Sequence, residues 1–193
     1  SIKSIKQYSV DQKCLDLTFA DRYSFCLIST DEILKLNTIN LQRLVEKFYN
    51  DTCLVDQNAC SSPHLIIWYG EKYNLAKTKF WKYLNKFASK KYNLTDFASM
   101  DKYTKFINDI LNLKNIKKYE KFGNFIYTID LKTLDKNIHK LRGKWGFFYE
   151  YNTKNIDKTI KSIVNNKYQT LTYFGINKKT LFKFVLKNKL QGI

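Results

Sequence analysis

The sequence is short of most residues that punctuate or staple a chain. It has one proline, Pro63, and six glycines in 193 residues, so long flexible linkers are excluded. The glycines nowhere form GxGxxG or GxxxxGK[ST], and the chain carries no recognisable nucleotide-binding loop of its own. The four cysteines, Cys14, Cys26, Cys53 and Cys60, never fall into a CxxC pair. That spacing argues against a structural zinc site, and a chain this long without an export signal implies no disulfide framework. The two histidines, His64 and His139, stand far apart and do not suggest a metal site. No run of about 18 apolar residues occurs, so no transmembrane helix is expected. The opening SIKSIKQYSVDQK has no apolar segment behind its lysines and does not read as a signal peptide. Reduced thiols in the cytoplasm are the simplest expectation.

Acidic residues are scarce too: 17 Asp and Glu against 34 Lys and Arg leave a formal charge of +17. Such a balance admits nucleic acid as a partner. It equally admits a nucleotide-bearing thioester or an acidic carrier protein. The lysines are spread along the chain, and Lys, Asn, Ile, Tyr and Phe are all abundant, as an AT-rich coding bias produces. The charge is therefore weak evidence for any one partner. A 44% hydrophobic content excludes global disorder, and the length fits one substantial α/β domain or two small ones. There is no initiating Met and the chain stops at NKLQGI. Both ends look cut, and a piece of a longer protein is expected.

Along the chain, YSFCLIS (Tyr23–Ser29) reads as a short buried strand running into the helix-start signal STDE. Leu41, Leu44, Val45, Phe48 and Tyr49 follow helical spacing. HLIIWYG is a continuous apolar run closed by Gly70, the pattern of a central strand covered on both faces. Two helices follow, the first with Leu75, Phe80, Tyr83, Leu84 and Phe87 inward. In the second, Thr95 is the expected cap and Phe97, Phe106, Ile110 and Leu113 the inward face. GNFIYTIDL, WGFFYEY and YQTLTYFG read as strands, with helices around 156–164 and in NKKTLFKFVLKNK. This alternation predicts a layered α/β fold on a mostly parallel sheet.

Between the Leu41 helix and the HLIIWYG strand, regular patterning is lost across DQNACSSP. A cysteine in such a loop sits at the edge of a sheet, where backbone N–H groups can face a ligand. Those groups stabilise a thiolate and the oxyanion formed when sulfur attacks a carbonyl. The residues alone leave two readings of Cys60 open, a nucleophile and a small buried thiol.

QNACSSPH resembles the active-site segment of acylating aldehyde dehydrogenases. In its proline form, preceded by Asp-Gln-Asn-Ala, it is similar to the LuxC-type long-chain acyl-CoA reductases. FADRYSFCLIS and YQTLTYFGINKKTLFKFVLKNKLQGI look like further segments of that family, in the same order and spacing, so the resemblance covers nearly the whole chain. It implies the three-layer α/β catalytic domain of the aldehyde dehydrogenase superfamily over residues 1–193, without the N-terminal cofactor-binding domain. It implies Cys60 as the nucleophile that takes the acyl group from a fatty acyl-CoA or acyl-carrier protein, with NADPH reducing the acyl-enzyme to an aldehyde. It also admits a homo-oligomer or acyl-transfer partner subunits. TFADRYSF lacks the glutamate with which ordinary aldehyde dehydrogenases activate water, which fits thioester reduction better than aldehyde oxidation. The alternative is a basic, non-catalytic module for nucleic acid or an acidic partner. A reductase fold kept only as an interaction partner is a third reading.

Around Cys60, the expected substrate-side residues are Gln57, Asn58, Ser61, Ser62 and His64, with cap or loop-forming roles open for the first four and a strand start or proton relay for His64. Cys26 and Cys53 are expected in the core or on the preceding helix, and His139 in a solvated stretch. Trp68, Trp81 and Trp145 read as core or acyl-pocket lining. LRGKWG, with two glycines among basic residues, reads as a turn into a strand or a segment close to a phosphate.

Overall fold

A computed structural model describes residues 7, 8, 11, 14, 22–163 and 167–187. Val164 and residues 19–21 and 188–193, which the sequence reading included, lie outside the described residues. Six strands form one sheet: β1 Tyr23–Ser29, β2 Pro63–Tyr69, β3 Ile116–Phe122, β4 Ile126–Leu131, β5 Phe147–Thr153 and β6 Tyr168–Phe174. Their spatial order is β3-β4-β5-β2-β1-β6, and every pairing is parallel except the β3–β4 hairpin. The helices are α1 Thr30–Lys35, α2 Thr38–Asp51, α3 Tyr73–Lys91, α4 Asp96–Asn112, α5 Ile156–Ile163 and α6 Lys178–Lys187.

The continuous apolar runs become the centre of the sheet because both of their faces are covered. All seven residues of β1 are buried, as are six of the seven in β2. Alternate side chains of the strands divide between two cores. Phe25, Leu27, Leu65, Ile67, Ile129 and Tyr149 meet Phe106 of α4, Ile160 of α5 and Leu181 of α6 on one side. Ile28, Ile66, Trp68 and Phe148 meet Ile33 of α1, Val45 and Phe48 of α2 and Phe80 and Trp81 of α3 on the other. The result is the predicted three-layer α/β arrangement on a mostly parallel sheet.

Helix starts follow the sequence signals. The Ser29 side chain accepts from the Glu32 N–H at 3.4 Å, and Thr95 Oγ1 accepts from the Ala98 N–H at 3.2 Å. Two expected core residues are outside. The buried stripe of α3 runs through Tyr73, Ala76, Phe80, Trp81, Leu84 and Ala88, which leaves Leu75 exposed. In α4 the inward residues are Ala98, Lys102 and Phe106, four apart, so Phe97 lies a full 100° step off that face and is exposed. Strand β3, IKKYEKF, had no apolar signal to find. It is the antiparallel edge, and its outward lysines discourage pairing with another chain.

A charge lies inside the second core. Glu150 of β5 is fully buried, and its Oε1 accepts from the indole N–H of Trp68 and of Trp81, each at 2.7 Å. Its Oε2 accepts from Lys77 Nζ at 3.3 Å, and Lys77 also pairs with Glu120 at 2.6 Å. Burial works against the Lys77 charge, yet Glu150 and Glu120 together hold its pKa above the ordinary lysine value. The network pins α3 to β2, β3 and β5. Glu150→Ala leaves two indole N–H groups and a buried ammonium without their acceptor, and is expected to cost about 3–5 kcal/mol. Urea unfolding followed by tryptophan fluorescence measures it, and a loss under about 1 kcal/mol would contradict this account of the network.

Candidate active site

The connection from α2 to β2 is wound tightly. After a 3-10 turn at Cys53–Val55, Asp56 (φ 53°) and Gln57 (φ 61°) adopt left-handed backbone, which costs non-glycine residues about 1 kcal/mol or more each. Hydrogen bonds fix this shape. Gln57 N–H donates to the Thr52 carbonyl at 2.8 Å, Asn58 N–H to Val55 at 2.9 Å, and Ser62 N–H to Ala59 at 2.9 Å. The Cys60 carbonyl accepts from Ser24 Oγ at 2.6 Å, and the Cys60 side chain is exposed. Among the described residues no group accepts from the backbone N–H of Ala59, Cys60 or Ser61. Three donors therefore remain beside the thiol for a ligand oxygen.

The Gln57 side chain is buried and ties this loop to the one that leads into β5. Its Nε2 donates to the carbonyls of Pro63 and Phe147, both at 3.1 Å, and its Oε1 accepts from the Gly146 N–H at 3.1 Å. The LRGKWG segment is thus a turn into a strand, and it also faces Cys60. Gly143 is required there, since a Cβ would meet the Phe147 carbonyl oxygen at 1.6 Å.

Together these elements enclose a cleft of about 460 Å³ at the amino-terminal ends of β1, β2 and β5. Open parallel sheets commonly bind ligands at the carboxyl ends of their strands; the thiol here stands at the opposite edge. Cys60, Ala59, Asn58 and Gln57 line one wall, with His64 where β2 begins. Arg22 reaches in from before β1, Lys105 from α4, and Arg142, Gly143 and Lys144 from before β5. Lys105 pairs with Asp109 at 3.0 Å, and Lys144 pairs with Asp101 and lies 4.4 Å from the Trp145 ring. The lining contains four cationic side chains and no carboxylate among the described residues.

Of the residues expected around Cys60, two have their polar groups engaged with the protein. Both Gln57 N–H bonds hold the loops, and Ser62, fully buried, donates to the Asp51 carbonyl at 2.6 Å. A substrate contact at either is corrected to a loop-holding role. Asn58 and Ser61 are exposed, and only Asn58 of the two lines the cleft. His64 is the extra residue of a bulge: Ser24 faces Pro63 while Phe25 faces Leu65. The bulge brings its ring beside Tyr23, centroids 5.5 Å apart, and its Nδ1 to 3.1 Å from the Gly143 carbonyl. A carbonyl only accepts, so Nδ1 carries the proton. Burial, then the nearby Arg142 and Lys105 charges, lower its pKa to about 4 against the opposing Gly143 bond. His64 is therefore neutral near pH 7 and is no proton donor there.

The other cysteines are separated from the cleft. Cys26 and Cys53 are buried, and burial pushes their thiols up to about 12 and about 11. Cys53 lies on the 3-10 turn after α2 rather than on the helix itself. Trp68 and Trp81 are core, whereas Trp145 is half-buried beside the cleft. His139 is not part of the cleft lining. What the sequence reading missed is the cationic wall, although one signal was available. The chain has only three arginines among its 34 basic residues, and two of them, Arg22 and Arg142, meet here.

Two outcomes follow from this geometry. Brief iodoacetamide treatment of the folded protein at pH 7.5 is expected to alkylate Cys60 and Cys14 and to spare Cys26 and Cys53, as read by peptide mass spectrometry. For His64, the folded pKa of about 4 lies below the unfolded value of about 6.5, so the unfolded state binds the proton first. Its contribution is intact above pH 6.5 and is lost as pH falls towards 4, about 3 kcal/mol in full. Urea titrations at pH 7.5 and 4.5 should show the parent protein losing about 2–3 kcal/mol more than His64→Gln; equal losses would refute the neutral buried imidazole.

The sequence matches the acyl-CoA reductase (LuxC) family over residues 1–120. No curated protein matches it. Among solved structures the fold is similar to aldehyde dehydrogenase 21 from Physcomitrella patens, in complex with the reaction product succinate. That match has a TM-score of 0.56 at 13% identity, covering 89% of this chain and 37% of that one. A methylmalonate-semialdehyde dehydrogenase assignment from Sinorhizobium meliloti 1021, complexed with NAD, matches with a TM-score of 0.55 at 11% identity, covering 86% and 37%. An NAD-dependent benzaldehyde dehydrogenase from Corynebacterium glutamicum matches with a TM-score of 0.51 at 8% identity, also covering 86% and 37%. The chain thus spans little more than a third of the length of these structures, and the likeness establishes an aldehyde dehydrogenase-like fold. With most of its length inside the family match, the chain belongs to the acyl-CoA reductase (LuxC) family.

Proposed function

We propose that this chain is the single thiol-bearing domain of a longer, NADPH-dependent reductase that converts a fatty acyl thioester, on coenzyme A or an acyl-carrier protein, to the fatty aldehyde. The observation that carries this reading is the exposed Cys60 on a braced loop, with three unengaged backbone N–H groups beside it. Cys60 attacks the thioester carbonyl. The oxyanion that forms is received by N–H groups of Ala59, Cys60 and Ser61, of which Cys60 is the one fixed to the nucleophile itself. Collapse expels the carrier as a thiolate and leaves the acyl group on Cys60. Asn58, exposed on the same wall, is the side chain placed to orient the carbonyl.

A nicotinamide cofactor, when bound, supplies the hydride that reduces the enzyme-held thioester. The chain has no glycine-rich dinucleotide loop, so its residues do not fit the role of holding that cofactor alone. We assign its binding to protein outside this chain, in keeping with the much greater length of the structural neighbours. What this chain contributes to the second stage is Cys60 as leaving group when the aldehyde is released. The carboxylate-free lining favours reduction over oxidation with water, because no described residue of the cleft can act as the base that activates a water molecule.

The test uses the intact protein and a long-chain acyl-CoA without cofactor. An adduct of the acyl mass is expected on Cys60, absent in Cys60→Ala and discharged as fatty aldehyde when NADPH is added. Covalent acyl-enzyme in the Cys60→Ala variant would overturn the assignment.

A further inference from the structure

Expelling an alkyl thiolate into a cleft requires either an acid to protonate it or fixed positive charge to receive it. The cleft supplies no acid: His64, the titratable group beside Cys60, is neutral and already donates its one N–H to Gly143. It does supply positive charge, on both sides. Arg142 is held in place by a hydrogen bond to the Arg22 carbonyl and by the Tyr23 ring, 5.7 Å from its guanidinium carbon. Tyr23 in turn packs on His64. Lys105, anchored by Asp109, faces the same imidazole from α4. The low proton affinity of His64, due after burial to Arg142 and with Lys105 adding to it, reports a positive field within the cleft.

The choice of residue is informative. In a chain whose basic residues are almost all lysine, arginine stands at both ends of this wall. A lysine in a partly desolvated, cationic cleft can lose its proton, whereas a guanidinium keeps its charge in proteins. Permanent charge suits a group whose task is to stabilise an anion rather than to transfer a proton.

Resting on the reading of Cys60 as acyl acceptor, we infer that Arg142 and Arg22, supported by Lys105, form a thiolate-receiving site that replaces a general acid in the acylation step. The Cys60 thiolate attacks, its sulfur–carbon bond forms, and the carrier sulfur–carbon bond breaks. The electron pair leaves on the carrier sulfur, which departs as an anion against the arginine wall. The proton that Cys60 gave up beforehand passes to bulk water, so no proton is owed to the leaving group.

The experiment measures single-turnover acylation of Cys60 in the intact protein by mass spectrometry, with three esters of one acyl chain. They are the coenzyme A thioester, the N-acetylcysteamine thioester, which has an alkyl thiol but no phosphate, and the thionitrobenzoate ester, whose aromatic thiolate needs little stabilisation. Arg142→Gln and Arg22→Gln are expected to slow the two alkyl thioesters roughly ten- to hundredfold, and the thionitrobenzoate ester less than about twofold. Arg142→Lys should recover most of the rate. The thionitrobenzoate arm also shows that each variant is folded. Loss confined to the coenzyme A ester would mean that the wall anchors phosphates, and would overturn the inference. Equal loss with all three esters, or no loss with any, would overturn it too. Failure of all three esters to acylate Cys60 in the parent protein would remove the reading of Cys60 itself.

Discussion

The side-chain amide of Gln57 joins two loops some ninety residues apart in sequence, and the candidate site depends on that junction. Its two N–H bonds and its carbonyl are all engaged, with Pro63, Phe147 and Gly146. Removing any partner would leave a polar group unsatisfied in a buried position, which is why the bridge fixes geometry as well as adding stability. It braces the left-handed turn at Asp56 and Gln57, and that turn leads into the exposed thiol. The same bridge draws LRGKWG, with its basic side chains, against the cysteine loop. A thiol, a set of free backbone donors and a cationic wall are thereby brought to one edge of the sheet.

The sheet beneath makes such precision attainable. β1, β2 and β5 are buried on both faces, so their amino-terminal ends cannot shift without repacking two cores. The Glu150 network acts in the same direction. A carboxylate shared by two indoles and an ammonium holds α3 onto β2, β3 and β5 in one arrangement. Functional groups set on loops profit from so rigid a support, since the loops themselves have little core of their own.

The elements were readable where local chemistry dictated them. YSFCLIS and HLIIWYG form strands because an unbroken apolar run is stable only with both faces covered, and Ser29 and Thr95 cap helices because their side chains reach an unpaired N–H. Errors occurred where a pattern had two solutions. Leu75 and Phe97 fit an inward face by composition, but the packing of α3 and α4 selected a neighbouring stripe. β3 has the composition of a loop and becomes a strand only because β4 offers it a partner. The site was legible as a cysteine in an irregular loop, and the family resemblance gave that cysteine a role. Its surroundings were less legible. Gln57 and Ser62 face the protein, and the bulge at His64 breaks the alternation on which any guess about its direction would rest.

The sequence by itself determined the layered α/β architecture, the central strands and the position of Cys60 before a buried strand, because periodicity and apolar run length act locally. Tertiary structure alone decided what surrounds the thiol. Arg22 and Arg142 lie 120 residues apart in the chain, and only the parallel pairing of β1, β2 and β5 brings the starts of those strands together. Charge that looks dispersed along the chain is concentrated there because parallel strands align like ends, so residues just ahead of separate strands become neighbours.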